Sequence, residues 1–378
     1  MLSRRFLRIK AYQAVYAHKQ RIKSNYGLAM VSIDDFVSPD LKSMEKPDYQ
    51  LLKKKSALAK DLFDAYLQDK EVTNKESDLQ LIRAVEDAYE VMLHENRLEK
   101  NKVRDVMLKD IEMVQEHYIS ALQFLLEVSK IRAKKDGVSI PNRLDENVFF
   151  KLLNDNQVLK ALVAKYGVDW NDEEQLPRKT YLKRLAHLES VQLFNKEGHQ
   201  SLDTDIKVIK KIIKKGLFKS DAVNDLFETK DTFWKENKEI VEGMLAITLK
   251  TITEDEIELV LLEGDKWEAD KAFYLKLYDC GTEIGSDVEK VFGDNLKNWE
   301  REKLSDSDDV IILLGLNEMA HFPSIPIKVT MNEYIEMAKV YSTPKSKTFV
   351  NGLLDSISKI MLKEKLIRKS GRGLLDNQ

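Results

Sequence analysis

Apolar residues recur along most of the chain at spacings of three and four, the period of one face of an α-helix. Only 14 glycines and 7 prolines interrupt this pattern in 378 residues, and strand-like alternation is scarce. The pattern predicts an all-α protein. We expect helices over residues 2–22, 78–98, 101–135, 146–165, 203–214, 219–229, 230–253 and 267–282, with shorter ones over 180–195. Residues 33–49 and 136–142 should be loops, and the short apolar stretch 257–262 a helix end or a loop.

The C-terminal third begins with a predicted helix that is apolar on nearly every side. Ser305 or Asp306 can cap this helix, which should run to His321. The nearly continuous apolar run between these ends is typical of a central, well-buried helix.

Two further helix starts are predicted after a turn at residues 322–326. Thr330 and Glu333 have the spacing of a capping box, in which each side chain satisfies a free N–H at the helix start. Thr343 and Pro344 fit the N-cap and first position of the final long helix.

Charge is distributed unevenly, although the net charge is only −3. Both chain ends are basic, since acids are absent between Met1 and Ile33 and scarce after Lys359. The single Cys280 excludes an intramolecular disulfide and a cysteine-based zinc site, as is typical of a reducing cytoplasm. No apolar stretch reaches the roughly 18 residues of a membrane span, and the N-terminal segment lacks the pattern of a signal peptide. We therefore expect a cytoplasmic protein.

Short motifs at both ends of the chain resemble the NusB family, and they occur in the family's order. The opening helix carries Arg4-Arg5-Phe6-Leu7-Arg8 followed by Gln13-Ala14-Val15-Tyr16. The C-terminal motifs are Leu316-Asn317-Glu318-Met319, Ile325-Pro326-Ile327-Lys328-Val329, Asn332-Glu333-Tyr334-Ile335-Glu336-Met337-Ala338-Lys339 and Phe349-Val350-Asn351-Gly352-Leu353-Leu354-Asp355.

The resemblance implies NusB-like paired helical bundles with a large helical insertion after the first helix, as in enlarged Bacteroidota members. The first helix would be residues 1–25, the insertion 26–230, the rest of the bundle 231–370 and a flexible tail 371–378. The implied function is transcription antitermination on ribosomal RNA operons. Such proteins bind boxA-type single-stranded RNA as a heterodimer with the ribosomal protein NusE, and so act indirectly on the RNA polymerase elongation complex.

A helical wheel places Arg5, Arg8, Tyr12, Tyr16 and Lys19 on one stripe of the first helix. Guanidinium groups pair with phosphates and exposed rings stack on bases, so the stripe suits single-stranded RNA. Alternatively, the arginines only solvate the helix while the tyrosines pack inward. The resemblance implies an RNA-binding surface made of Arg4, Arg5, Arg8, Tyr16, Lys19, Lys347, Phe349 and Asn351, and a partner-binding surface with Asp308 and Lys345.

Some of these positions leave alternatives open. Phe349 could be a core residue, Asn351 a cap or turn residue, and Gly352 a site of close helix packing. The chain also departs from the family: Pro344 and Lys345 stand where an acidic pair is common, and Leu313 replaces an arginine.

No motif for catalysis, a cofactor or a metal is recognisable. The six histidines lack metal-ligand spacing, and no phosphate-binding glycine loop or nucleophile elbow occurs. The run 210–215 is expected to be a solvated lysine face over buried Ile212 and Ile213, with a second RNA patch as the alternative. Trp170, Trp234, Trp267 and Trp299 should be packing residues. Two other functions stay open, a non-catalytic scaffold in ribosome assembly and an accessory module of an rRNA methyltransferase.

Overall fold

The computed structural model describes residues 2–39, 46–68, 79–135, 138–170, 175–296 and 304–377, so Trp299 lies outside the described residues. It is all-α in class, as the sequence predicts, apart from one small hairpin. The α-helices are α1 (Arg4–Val37), α2 (Tyr49–Leu67), α3 (Leu79–Lys130), α4 (Val148–Asp155), α5 (Gln157–Tyr166), α6 (Gln175–Thr180), α7 (Glu189–Glu197), α8 (Leu202–Ile212), α9 (Asp221–Lys230), α10 (Trp234–Thr251), α11 (Gly264–Thr282), α12 (Ser286–Asn295), α13 (Asp306–His321), α14 (Ile327–Tyr341) and α15 (Ser346–Lys363).

The chain forms two compact units. The first contains Met1–Leu7 and Leu108–Lys271, and the second contains Arg8–Met107 and Ala272–Gln378. These units cut across the segments expected from the resemblance, whose boundaries stay a prediction. In the part of the chain that the structure describes, no helix is both long and apolar enough to cross a membrane.

Several elements of the first unit differ from the predicted ones. The predicted helix 146–165 is broken into α4 and α5 at Asn156, whose side chain accepts a hydrogen bond from Leu159 N at 2.8 Å and so caps a new helix. The predicted loop 136–142 contains strand β2 (Val138–Ile140), which pairs antiparallel with β1 (Ala133–Lys135). The stretch 257–262 is irregular, as expected. Trp170, Trp234 and Trp267 are buried, which confirms their packing role.

The second unit includes a three-helix core that the sequence did not predict. α1 continues to Val37 instead of ending near residue 22, and α2 forms where no helix was expected. Ile33 on α1, Phe63 on α2 and Val85 on α3 meet in one buried apolar cluster. This burial favours helix over loop, since packing of an apolar face supplies most of a helix's stability in proteins.

α3 is one helix of 52 residues, although the sequence suggested a break near residue 100. Glu99 and Lys100 are good helix formers, and no glycine or proline interrupts the segment. The backbone therefore has no reason to leave the helix there.

The C-terminal part of the second unit is built on α13, whose residues from Asp308 to Met319 are all buried. Ser305 caps this helix, since its hydroxyl accepts from Asp308 N at 3.1 Å, as predicted. α14 and α15 pack against α13 through buried residues such as Tyr334 and Leu354. The predicted central helix is therefore confirmed, and a 3-10 helix covers Gly371–Asn377, where the sequence suggested a flexible tail.

Two predicted helix starts are wrong. α14 begins at Ile327 with Pro326 as its N-cap, so Thr330 lies within the helix and its hydroxyl donates to Glu318 instead of capping. α15 begins at Ser346, two residues after Pro344. The Thr330 hydroxyl is thus used for a tertiary hydrogen bond, whereas the Thr343 hydroxyl lies 2.8 Å from Ser346 Oγ at the start of α15.

Candidate nucleic-acid interface

Arg8 does not lie on the surface of the second unit. Its Nε donates to Glu318 Oε2 at 2.7 Å and its Nη2 to Oε1 at 2.8 Å. Only 4% of the Arg8 side chain and none of the Glu318 side chain is exposed. Burial by itself lowers the pKa of Arg8, but the hydrogen bonds and charge of Glu318 outweigh it and raise that pKa. The expectation that Arg8 faces RNA is therefore wrong.

The carboxylate of Glu318 has two further donors. Thr330 Oγ1 donates to Oε1 at 2.8 Å, and the Tyr334 hydroxyl donates to Oε2 at 3.1 Å. Burial, followed by the charge of Glu318, raises the pKa of Tyr334 well above its ordinary value, so the phenol stays a donor. Arg8, Thr330, Tyr334 and Glu318 thus form a buried polar network that joins α1, α13 and α14.

The two tyrosines of the predicted stripe have different environments. Tyr12 is buried, its hydroxyl lies 2.8 Å from Ser307 Oγ, and its ring centroid is 5.1 Å from that of Tyr341. Tyr16 is half-buried, with its centroid 6.1 Å from that of Tyr12. Tyr12 therefore packs inward, as one of the alternatives held, while Tyr16 keeps part of its ring at the surface.

Lys19 is engaged by acids at the start of α13. Its Nζ contacts Asp309 Oδ2 and lies 3.4 Å from Asp306 Oδ1. Lys23 Nζ donates to Asp306 at 2.6 Å and Gln20 Nε2 donates to it at 3.0 Å. The hydrogen bond from Lys23, followed by that from Gln20, lowers the pKa of Asp306 to about 2. The charge of Lys19 is thus largely neutralised within the protein.

Asp308 lies inside the second unit, with 6% of its surface exposed. Its Oδ2 accepts hydrogen bonds from Ser305 Oγ and from Ser346 Oγ, both at 2.9 Å. The carboxylate therefore ties the start of α13 to the start of α15. Its expected place on a partner-binding surface is wrong.

In the second unit, the start of α15 is a part of the predicted surface that faces solvent. Lys345, Lys347 and Asn351 are exposed, and Phe349 is half-buried. The N-cap residue Lys345 makes no side-chain cap hydrogen bond, although Ser346 N already donates to Thr343 O at 3.0 Å, and the positive dipole end of the helix favours an anion. Two lysines, a helix N-terminus, an amide and part of an aromatic ring can together contact a phosphate and a base.

Gly352 is also exposed on α15, and the interpretation that it permits close helix packing is wrong. A Cβ placed there would meet no atom within 4 Å. The glycine is therefore not required by the packing of this unit.

Arg4 and Arg5 belong to the first unit. The Arg4 side chain is 45% exposed, with its Nη1 3.9 Å from Asp270 Oδ1 and 3.5 Å from the Ala269 carbonyl oxygen. Arg5 is exposed. Both guanidinium groups can reach solvent, in contrast to that of Arg8.

No functional role was predicted for Glu318 or Asp309 from the sequence, and Asp306 was expected only as a possible helix cap. A signal for Glu318 was present, because an acid within an almost wholly apolar helix needs a cationic or hydrogen-bonding partner. In the described parts of the chain, no three His, Cys, Asp or Glu side chains are placed to hold a metal ion.

The fold and the exposed residues define a class, an all-helical bundle with a basic surface at a helix start. Comparison with known proteins then assigns part of the chain to a family. Residues 236–359, about a third of the chain, match the NusB family model, and this segment is a NusB-family domain.

Three curated relatives carry the name transcription antitermination protein NusB. The protein of Chloroherpeton thalassium is 35% identical over 106 residues, 28% of this chain and 50% of the relative. That of Salinibacter ruber is 35% identical over 89 residues, 24% of this chain and 56% of the relative. That of Methylacidiphilum infernorum is 42% identical over 72 residues, 19% of this chain and 50% of the relative. The chain thus spans about half the length of these relatives, and no solved structure matches it.

Proposed function

We propose that this protein is a non-catalytic, RNA-binding transcription antitermination factor acting on ribosomal RNA operons. The observation that carries the proposal is the NusB-family domain at residues 236–359, which contains the exposed basic start of α15. The relatives' printed name, transcription antitermination protein NusB, supports the same role. The protein acts by binding RNA and a partner protein, and it forms or breaks no covalent bond.

The proposed ligand is boxA-type single-stranded RNA. Lys345 and Lys347 contact phosphates, Asn351 hydrogen-bonds a base edge, and the exposed part of Phe349 stacks on a base. Tyr16, in the same unit as α15, contributes a further contact, and Arg4 and Arg5 of the first unit are proposed separately as RNA contacts. Arg8 is left out because its guanidinium is occupied by Glu318.

The proposed partner is the ribosomal protein NusE, bound as a heterodimer. Of the two expected partner-binding residues, Asp308 is buried, and exposed Lys345 is proposed to contact both the RNA and NusE. Through this heterodimer the protein supports the RNA polymerase elongation complex in the cytoplasm.

The first experiment measures binding of a fluorescent boxA-like RNA to the full chain, with and without NusE, over a range of salt concentrations. Each phosphate contact on a single strand contributes roughly 0.7 to the slope of log affinity against log salt. The double variant Lys345→Gln/Lys347→Gln should therefore flatten the slope by about 1.4, and the double variant Arg4→Gln/Arg5→Gln by a similar amount.

The matched control is Lys53→Gln/Lys54→Gln, which removes the same charge from two exposed lysines of α2. This control should keep the wild-type slope. Equal slopes for the α15 variant and this control would contradict the RNA surface proposed here, and failure of NusE to raise the affinity would contradict the heterodimer.

A further inference from the structure

Six lysines between residues 207 and 219 form a strongly basic stretch in the first unit that the proposed function does not use. No acid occurs from Ile206 to Ser220. All six lysines are exposed, and they are Lys207, Lys210, Lys211, Lys214, Lys215 and Lys219. We call them the lysine face. Overall composition does not account for it, because the chain carries a net charge of −3.

Buried residues and lysines alternate with a period of four along residues 207–219. Val208–Ile209, Ile212–Ile213 and Gly216–Phe218 are buried, while the lysine pairs between them are exposed. In a regular α-helix of 3.6 residues per turn, a period of four drifts by about 40° at each repeat. Three repeats would therefore turn the last lysines away from the first ones.

The backbone removes this drift by changing helix type. α8 ends at Ile212 and continues as a π-helix from Ile213 to Phe218. Lys219 N donates to Lys214 O at 3.1 Å, which is the i→i+5 bond of a π turn. The wider turn holds an additional residue, which counteracts the drift between the lysine pair of α8 and the pair that follows it.

A second π-helix, Tyr181–Leu185, holds this turn in place. A Cβ at Gly216 would lie 3.1 Å from both methyl carbons of Leu185, so the glycine permits close approach of the two turns. Arg184 Nη1 donates to the carbonyl oxygen of Lys219 and thereby fixes the end of the lysine face. Turns of this kind occur often at functional sites.

The lysine ammonium groups are not consumed by internal ion pairs. Among the described residues, no hydrogen bond or ion pair engages the ammonium group of any lysine in this face. The nearest preceding acid in the chain, Asp205, is buried and accepts from Val148 N at 2.8 Å. Concentrated positive charge without internal partners attracts a polyanion.

We propose that the lysine face is a second RNA-binding site that contacts the phosphate backbone without reading sequence. Its 12 residue steps span at most about 18 Å at the rise of an α-helix, enough for several phosphates. The stretch offers no exposed aromatic for base stacking, since Phe218 is buried and Lys238 donates to its carbonyl oxygen at 2.8 Å. It also offers no exposed large apolar side chain with which to enter a membrane surface.

The test uses a labelled 20-nucleotide oligouridine, which lacks a boxA element, with the full-length chain. The variant Lys210→Gln/Lys211→Gln/Lys214→Gln/Lys215→Gln should flatten the salt slope of binding by about 3, at roughly 0.7 per phosphate. Replacing the same four lysines by arginine should keep the wild-type slope. Circular dichroism melting checks that each variant is folded.

The matched control removes the same charge from four exposed lysines of this unit that are scattered along the chain: Lys151, Lys235, Lys250 and Lys266. Equal slopes for the two glutamine variants would overturn the proposal. So would loss of binding to phosphatidylglycerol vesicles with unchanged binding to oligouridine, because the face would then serve a membrane. The proposed antitermination function is tested separately, by the binding of boxA-like RNA to the wild type and to the α15 variant.

Discussion

Arg8 and Glu318 form a bidentate ion pair in the interior of the second unit, 310 positions apart in the sequence. Arg8 belongs to a motif that resembles an RNA-binding helix, but here it stabilises the interior of the unit. A buried carboxylate left without its cation is costly, whereas replacing both charges together is often tolerated.

Removal of Arg8 should therefore destabilise the protein strongly. Arg8→Met leaves Glu318 buried and unpaired, and we expect the free energy of unfolding to fall by about 3–5 kcal/mol in urea titrations followed by circular dichroism. The double variant Arg8→Met/Glu318→Gln should recover part of this loss. Arg5→Met, at an exposed position of the same helix, should change stability by no more than about 0.5 kcal/mol. A loss below 1 kcal/mol for Arg8→Met would mean that the buried pair is not formed.

The hydrogen bond between Ser346 and Asp308 gives a second prediction. Ser346→Ala removes one of two hydroxyl donors to a buried carboxylate, and hydrogen bonds to charged groups contribute about 1.5–3 kcal/mol. We expect a loss of that size in the free energy of unfolding. Ser356→Ala is the control, since this exposed serine lies on the same helix and should be neutral. Equal effects of the two variants would exclude the link between α13 and α15.

Asp306 should make stability depend on pH in the acid range. Its pKa is lowered to about 2, first by the hydrogen bond from Lys23, from an ordinary value of 3.8. A carboxylate with a lowered folded-state pKa stabilises fully above its unfolded pKa, and loses this contribution as the pH falls from about 4 to about 2. The pair is partly exposed, so the effect should be about 1 kcal/mol or less.

The measurement for Asp306 compares unfolding of the wild type and Asp306→Asn from pH 6 to pH 2. The wild type should be more stable at pH 6, and the two curves should converge near pH 2. A difference that stayed constant with pH would contradict this ion pair. Lys23→Gln should raise the pKa of the Asp306 carboxylate in an NMR titration, because it removes the first donor.

Two glycines of the second unit should respond to alanine in opposite directions. A Cβ at Gly281 on α11 would lie 2.6 Å from Leu314 Cδ2 and 2.8 Å from Val15 Cγ2, whereas one at Gly352 would meet nothing within 4 Å. Overpacking costs about 1–3 kcal/mol, and alanine gains about 1 kcal/mol over glycine in a helix. Gly281→Ala should therefore lower the melting temperature and Gly352→Ala raise it. Stabilisation by both changes would show that the α1–α11–α13 contact is looser than described.

The sequence by itself determined the class of the protein and much of its organisation. Period-three-and-four apolar spacing depends only on helix geometry, so it identified many of the helices, although not α2, and the unbroken apolar run of α13 identified the central helix. The pairs around Ile212 and Ile213 also showed correctly which side of that segment is buried.

Only the tertiary structure decided which charged and hydroxyl groups face solvent. A helical wheel shows that Arg8 and Lys19 share a side of α1, but not that Glu318 and Asp309 lie opposite them on α13. Likewise Thr330 has the local pattern of a cap, yet it bonds to Glu318. The physical reason is that a buried carboxylate needs hydrogen-bond donors. Which donors lie next to it depends on how helices pack that are hundreds of residues apart in the sequence.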